Sequence, residues 1–371
     1  MGENKKIFFP NLDGLRFFAF FAVFLSHSFY SKFDYINQTA IYTNVRAIMH
    51  AGIFGVNFFF VLSGFLITYL LLDEKTKKGT VNVLSFYMRR VLRIWPLYYL
   101  IVFIGFVVIP ETQHLLGNKD YVETGDLLSY LCFYSNYSDQ PATTAVLGVL
   151  WSIAVEEQFY LIWPLFLLVT PLSRVGYLCL GLVIVSMLIR CIYLGDNHDS
   201  HLFSCLSDFA VGGGLAYASF YKASWIEKIK SMKMGWIILI YVLGALMFLF
   251  RSIWADVYLL YMNQRLLFSI FFAFVILEQN SFDNSFYKWK FSKLLSDLGR
   301  HTYGLYLYHF VAIYIVSIIL GKLLFNTQSY QVFFVEPILS LILSIIVSYL
   351  SYRYFEKPFL KLKDRFAYSK K

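Results

Sequence analysis

A chain of 371 residues that is 58% hydrophobic and 15% charged, with a mean hydropathy of +0.60, holds more apolar surface than a soluble core buries, which excludes an ordinary soluble enzyme. The net charge of +9 calls for no nucleic-acid partner, because the basic residues gather at one end of the apolar runs. The four cysteines, Cys132, Cys179, Cys191 and Cys205, have neither CxxC nor paired spacing, so they read as packing residues rather than a zinc site or a disulfide framework.

Ten apolar runs satisfy the length of a membrane span, near 11–30, 55–72, 97–110, 151–169, 175–194, 202–220, 235–251, 258–279, 302–320 and 337–355. The expected fold is therefore an all-α integral membrane protein of about ten transmembrane helices. The first run follows Lys5 and Lys6 without a small-residue cleavage site and is expected to stay as the first helix. The third is short and must begin before Pro96 or continue past Pro110. With the N-terminus inside, 23 of the 32 Lys and Arg residues fall in cytoplasmic segments, five in outer segments and four within spans. That bias places both termini in the cytoplasm.

In chain order, the first run carries Asp13, Arg16 and His27. Eleven helical steps return to within about 20° and advance about 16 Å, so Arg16 and His27 share a face and suit a groove through the protein. Alternatively, Arg16 snorkels to the headgroups and pairs with Asp13 at i, i+3 while His27 caps the outer end. In "FFFVLSGFLIT", Ser63 and Gly64 provide either close helix packing or clearance for a narrow ligand. In "YMRRVLRIWPLYY", Arg90 and Arg93 share a face before Pro96, where a kink or restart is expected. Such a guanidinium pair suits phosphate; the alternative for these arginines, strongest for Arg89, is lipid-headgroup binding and positive-inside anchoring.

In "LWSIAVEEQFYLIWP", Glu156 and Glu157 point about 100° apart, so only Glu156 can share a face with Ser152. Entering from outside, this helix puts Glu156 near the depth of His27, where a carboxylate can hold a histidine base; a helix-dipole role for Glu156 is the alternative. "DNHDSH", Asp196 to His201, has metal-ligand residue types but reads as a solvated loop. "GRHTYGLYLYHF" brings Tyr303, Tyr306 and His309 into the membrane, with His309 near mid-depth, where a lone histidine is more often a packing residue.

The set "LDGLRFFAFFAVFLSH", "FFFVLSGFLIT", "RRVLRIWPLYY", "LWSIAVEEQFYL", "HTYGLYLYH" and "YRYFEKP" resembles, in order and over almost the whole chain, the acyltransferase-3 family of membrane-bound O-acyltransferases. The resemblance implies a multi-pass protein of the bacterial cytoplasmic membrane. Such a protein moves an acyl group, most often acetyl, from a cytoplasmic acyl-CoA to a sugar hydroxyl of a surface polysaccharide, lipopolysaccharide or exported glycan. The family's arginine-ten-histidine motif falls on Arg16 and His27, with His27 the expected catalytic residue. Its RxxR motif falls on Arg90 and Arg93, expected to meet the donor, and its tryptophan-to-glutamate motif on Trp151, Ser152 and Glu156.

In this reading acetyl-CoA is the donor co-substrate and no metal is expected. Ser63 and Tyr303 stand with the arginines on the donor side, and Trp151, Ser152, Asp13 and His309 are candidates on the acceptor side. The acceptor, a glycan or lipid-linked sugar, is expected to enter near loop 111–150, which has Glu111, Asp120, Glu123, Asp126 and Asp139 against Lys119. His27, supported by Glu156, either deprotonates the acceptor hydroxyl or carries the acyl group itself. Residues 1–358 are expected to form one transmembrane domain and 359–371 a basic cytoplasmic tail, with no esterase-like C-terminal domain. Besides donor and acceptor, the expected partners are membrane lipids, not nucleic acid. Ten helices with buried charges also describe a transporter or glycan flippase, although no internal repeat pairs the two halves. A structural or sensory protein that has lost activity is opposed by the intact Arg16, His27 and Glu156.

Overall fold

The structure, a computed structural model, describes residues 11–192, 200–251, 258–282, 285, 288, 293–323, 325 and 327–366. Among the described residues all regular structure is helical. In chain order the main helices are α1 (Leu12–His27), α2 (Ala40–Met49), α3 (Gly55–Lys78), α4 (Val83–Phe103), α5 (Trp151–Val169), α6 (Val175–Ile192), α7 (Leu202–Tyr221), α8 (Met234–Leu249), α9 (Tyr258–Ser281), α10 (Lys293–Arg300), α11 (Thr302–Lys322) and α12 (Glu336–Ser351).

Every apolar run read from the sequence contains a helix. Among the described residues, six segments are long and apolar enough to cross a membrane: 40–78, 83–115, 145–169, 172–192, 302–322 and 331–366. A seventh arises if residues 224–230 and 234–249, bent by 88° from each other, act as one span. The protein is thus a multi-pass membrane protein by helix length and composition. The others differ in reach: α1, with 16 residues, is about 24 Å long, short of the roughly 30 Å hydrocarbon core.

The third run extends in both directions expected of it, beginning before Pro96 and continuing past Pro110. The helix does not break or restart at Pro96; α4 starts at Val83, where the Asn82 side chain accepts from the Ser85 amide at 2.9 Å, and runs through Pro96. A π-helical turn over 104–108 then joins it to a helix at Ile109–Leu115. Its basic first half can be helical inside a membrane protein because Arg89 has protein partners and Arg90 and Arg93 line a polar cavity. Arg89, for which lipid anchoring is one reading of the sequence, donates to the Phe366 carbonyl at 2.7 Å and lies 3.7 Å from Glu74.

Small residues decide which helices meet. α3 packs most extensively on α7. A Cβ on Gly64 would sit 2.1 Å from the Phe209 carbonyl oxygen, and one on Gly212 would sit 1.9 Å from that of Val61. Only hydrogen fits at either place. Around this seam Phe209 stacks on Phe60 and Phe159 with ring centres 4.7 and 4.1 Å away, and the buried Trp163 donates to Thr68 Oγ1 at 2.8 Å. Beside the seam the buried Asp208 of α7 accepts from Arg265 Nε of α9 at 2.8 Å and from Ser269 Oγ at 2.6 Å. Cys179 and Cys205 are buried in the packing, whereas Cys132 is exposed.

Loop 111–150 is held by its own acids. Glu123 accepts from the amides of Gly125, Thr143 and Thr144 at 3.1, 2.7 and 3.0 Å, and Asp126 caps the turn at 127–131 through the Leu128 and Ser129 amides. Two of the five acids expected to face an acceptor therefore close the loop instead. Burial, with the Glu123 carboxylate beside it, pushes the Tyr121 phenol up to about 12.

Candidate active site

The polar side chains converge from one end of α1. Asp13 and Arg16, one turn apart, form an ion pair at 2.5 Å, and both line a cavity of about 310 Å³. The cavity is closed on this side by α10, whose Gly299 lies so near that a Cβ there would be 1.8 Å from the Asp13 carbonyl oxygen. Asp13 is thus held at both its side chain and its backbone.

From α4, Arg90 and Arg93 enter the same cavity on one helical face. Arg90 lies over the rings of Phe86 and Tyr160, 5.6 and 5.4 Å from their centres, and its buried Nε has no hydrogen-bond partner among the described residues. Neither Arg90 nor Arg93 is ion-paired among the described residues. Four arginines, Arg16, Arg90, Arg93 and Arg300, against two carboxylates, Asp13 and Glu156, leave the cavity lining positive, which favours an anionic ligand.

The opposite wall comes from α3 and α5. Ser152, Glu156 and Tyr160 recur every four residues and form one stripe on α5. Ser63 of α3 and the Tyr160 hydroxyl both donate to Glu156 Oε1, and the two hydroxyls are 3.1 Å apart. Glu157 points elsewhere, as the 100° step requires, and accepts from Trp95 Nε1 at 2.8 Å. From α11, Tyr306 OH meets Ser152 Oγ at 2.7 Å and Tyr303 OH donates to the Ile94 carbonyl at 2.7 Å. A cavity of this size at a junction of several helices is at the lower end of small-molecule sites.

His27 is not among the side chains that line the cavity. At the other end of α1 its Nδ1 lies 3.1 Å from Nε2 of the fully buried His309, with the two rings stacked at 5.3 Å. His309 Nδ1 in turn lies 2.5 Å from the Tyr306 carbonyl oxygen. Phe310 packs on both imidazoles at 4.7 and 4.6 Å, and Phe20 and Phe24 meet His309 edge-on at 6.1 and 6.5 Å. Phe59 and Tyr306, themselves in contact at 6.1 Å, both belong to the cavity wall, and the Tyr306 ring reaches within 5.8 Å of His309.

The structure therefore brings Asp13, Arg16, Ser63, Arg90, Arg93, Ser152, Glu156 and Tyr303 into one cavity, from five stretches of chain. It does not bring Glu156 to His27: the carboxylate is bonded by Ser63 and Tyr160, and the histidine by His309. Trp151 is also off the cavity, with its ring against Phe60 at 6.3 Å. Gly64 packs against the Phe209 backbone, whereas Ser63 lines the cavity. Tyr160 was missed in the sequence, although its place four residues after Glu156 was the available signal. Of "DNHDSH", Asp196 to Asp199 lie outside the described residues.

The acyltransferase-3 family model, an acyltransferase domain, matches residues 9–353. The provisionally named peptidoglycan O-acetyltransferase YrhL of Bacillus subtilis (strain 168) is 28% identical over 384 residues, which cover 95% of this chain and 55% of that protein. The peptidoglycan O-acetyltransferase OatA of Listeria monocytogenes serovar 1/2a is 27% identical over 379 residues, covering 96% of this chain and 56% of that protein. The chain thus spans a little over half the length of these curated relatives. No solved structure matches it.

Proposed function

Because the chain belongs to the acyltransferase-3 family, we propose that it is an O-acyltransferase of the bacterial cytoplasmic membrane, with about ten spans and both termini inside. It takes an acyl group, first of all acetyl, from acyl-CoA and places it on a sugar hydroxyl of an exported or surface glycan. Peptidoglycan, the glycan in the names of two relatives, is the first acceptor to test. The observation that carries the reading is the single cavity into which Arg16, Arg90 and Arg93 project, with His27 eleven residues along the helix that supplies Arg16.

In this mechanism Arg90 and Arg93 hold the CoA phosphates, with Ser63, Tyr303 and Arg16 along the pantetheine arm. His27 takes the proton of the acceptor hydroxyl as its oxygen bonds to the thioester carbonyl carbon. The carbon–sulfur bond then breaks, and the departing thiolate recovers the proton from the imidazolium. Glu156, fixed by Ser63 and Tyr160, shapes the donor cavity rather than holding His27.

The test uses protein in nanodiscs with radiolabelled acetyl-CoA and peptidoglycan fragments. CoA release and label transfer are expected from the wild type, and their loss from His27→Ala with donor binding retained. Arg90→Ala and Arg93→Ala are expected to weaken donor binding. Absence of both donor binding and CoA release from the wild type would overturn the reading. Label trapped on His27 with donor alone would replace direct attack by an acyl-histidine route.

A further inference from the structure

We propose that His309 is a positioning residue that fixes the tautomer of His27, so that the His27 nitrogen turned away from the pair, Nε2, is the basic one. The proposal rests on His27 being the base, and it starts from two contacts. A carbonyl oxygen carries no proton, so the 2.5 Å contact between Tyr306 O and His309 Nδ1 requires that nitrogen to be the donor. His309 is fully buried among Phe20, Phe24, Phe310 and Tyr306, and among the described residues no carboxylate is ion-paired with it. In that setting the neutral imidazole is favoured, which leaves His309 Nε2 bare.

The 3.1 Å contact between that bare nitrogen and His27 Nδ1 can then be a hydrogen bond only if His27 Nδ1 carries the proton. Neutral His27 has a single ring proton, so its Nε2 is bare and can accept one. The direction of the chain, from His27 Nδ1–H to His309 and from His309 Nδ1–H to the Tyr306 carbonyl, is set at its buried end by the helix backbone. The aromatic rings around His309 keep water from offering an alternative partner. A carboxylate fulfils the same orienting task in hydrolase triads; here a second, neutral histidine does so, and it adds no negative charge inside the membrane.

Two measurements test this. In protein labelled with ¹⁵N-histidine, nitrogen spectra of the wild type, assigned by the resonances lost in His27→Gln and His309→Gln, are expected to show both rings protonated at Nδ1 and bare at Nε2. A wild-type His27 protonated at Nε2 would overturn the proposal without any activity being measured. In turnover, His309→Phe, which fills the space without an acceptor, is expected to lower kcat on the order of 100-fold with donor binding unchanged. His309→Gln, whose amide oxygen can accept from His27 Nδ1–H, is expected to recover most of that loss. Wild-type kcat in His309→Phe, or equal losses in both variants, would show that His309 only fills space. If CoA release persists in His27→Ala, the base assignment fails, while the tautomer order is still decided by the spectra.

Discussion

At the scale of single residues, Tyr160 has two separable tasks. Its hydroxyl bonds Glu156 and Ser63, while its ring lies under the Arg90 guanidinium at 5.4 Å. Tyr160→Phe removes the first alone and is expected to cost about 1–3 kcal/mol of stability, read as a lower thermal midpoint, with donor affinity nearly unchanged. Tyr160→Leu removes both and is expected to weaken donor binding further, by about 0.5–2 kcal/mol in titration calorimetry. Equal donor affinity in the two variants would show that the ring does not hold the guanidinium. His27 shows where residue-level reading stops. Helical spacing placed it on the face of Arg16, and depth suggested Glu156 as its partner, but depth along a membrane does not fix which way a neighbouring helix is turned. The partner, His309, is 282 positions away, and its contact exists only once α1 and α11 are packed.

At the scale of helices, the apolar runs were legible because lipid and packed neighbours demand the same residues. The run at 151–169 coincides with α5 to the residue. The exception, α4, starts 14 positions before its apolar run because Arg89, Arg90 and Arg93 have protein partners or a polar cavity to face. Helix lining a cavity need not look like helix lining lipid. The α7–α9 ion pair gives a test of buried charge. Asp208→Ala removes the carboxylate that Arg265 Nε bonds and is expected to cost about 3–5 kcal/mol, whereas the joint change of Asp208 to Leu and Arg265 to Met is expected to restore much of it. A double variant no better than the single one would assign the pair a role beyond mutual neutralisation. Gly212→Val, which drives a side chain into the Val61 carbonyl, is expected to be at least as damaging as the single charge change in the same melting assay.

For the whole molecule, orientation is the property that charge alone anticipates, and it can be measured. In a background with Cys132 and the other cysteines replaced, Ser138→Cys in loop 111–150 is expected to react with an impermeant maleimide in intact cells. Lys228→Cys, between α7 and α8, is expected to react only after lysis. The reverse pattern would turn the protein over and put the arginine cavity outside, away from any CoA pool.

Tyr306 touches two compartments with different parts of itself. Its hydroxyl and ring belong to the cavity wall, while its carbonyl receives His309. Any amino acid at this position brings the same carbonyl, so the order of the histidines is inherited with the backbone. The ring is a separate choice. Selection can therefore resize the partition between cavity and histidines, for a bulkier acyl chain or a different acceptor, by exchanging one side chain and leaving the hydrogen bonds of the histidine pair intact.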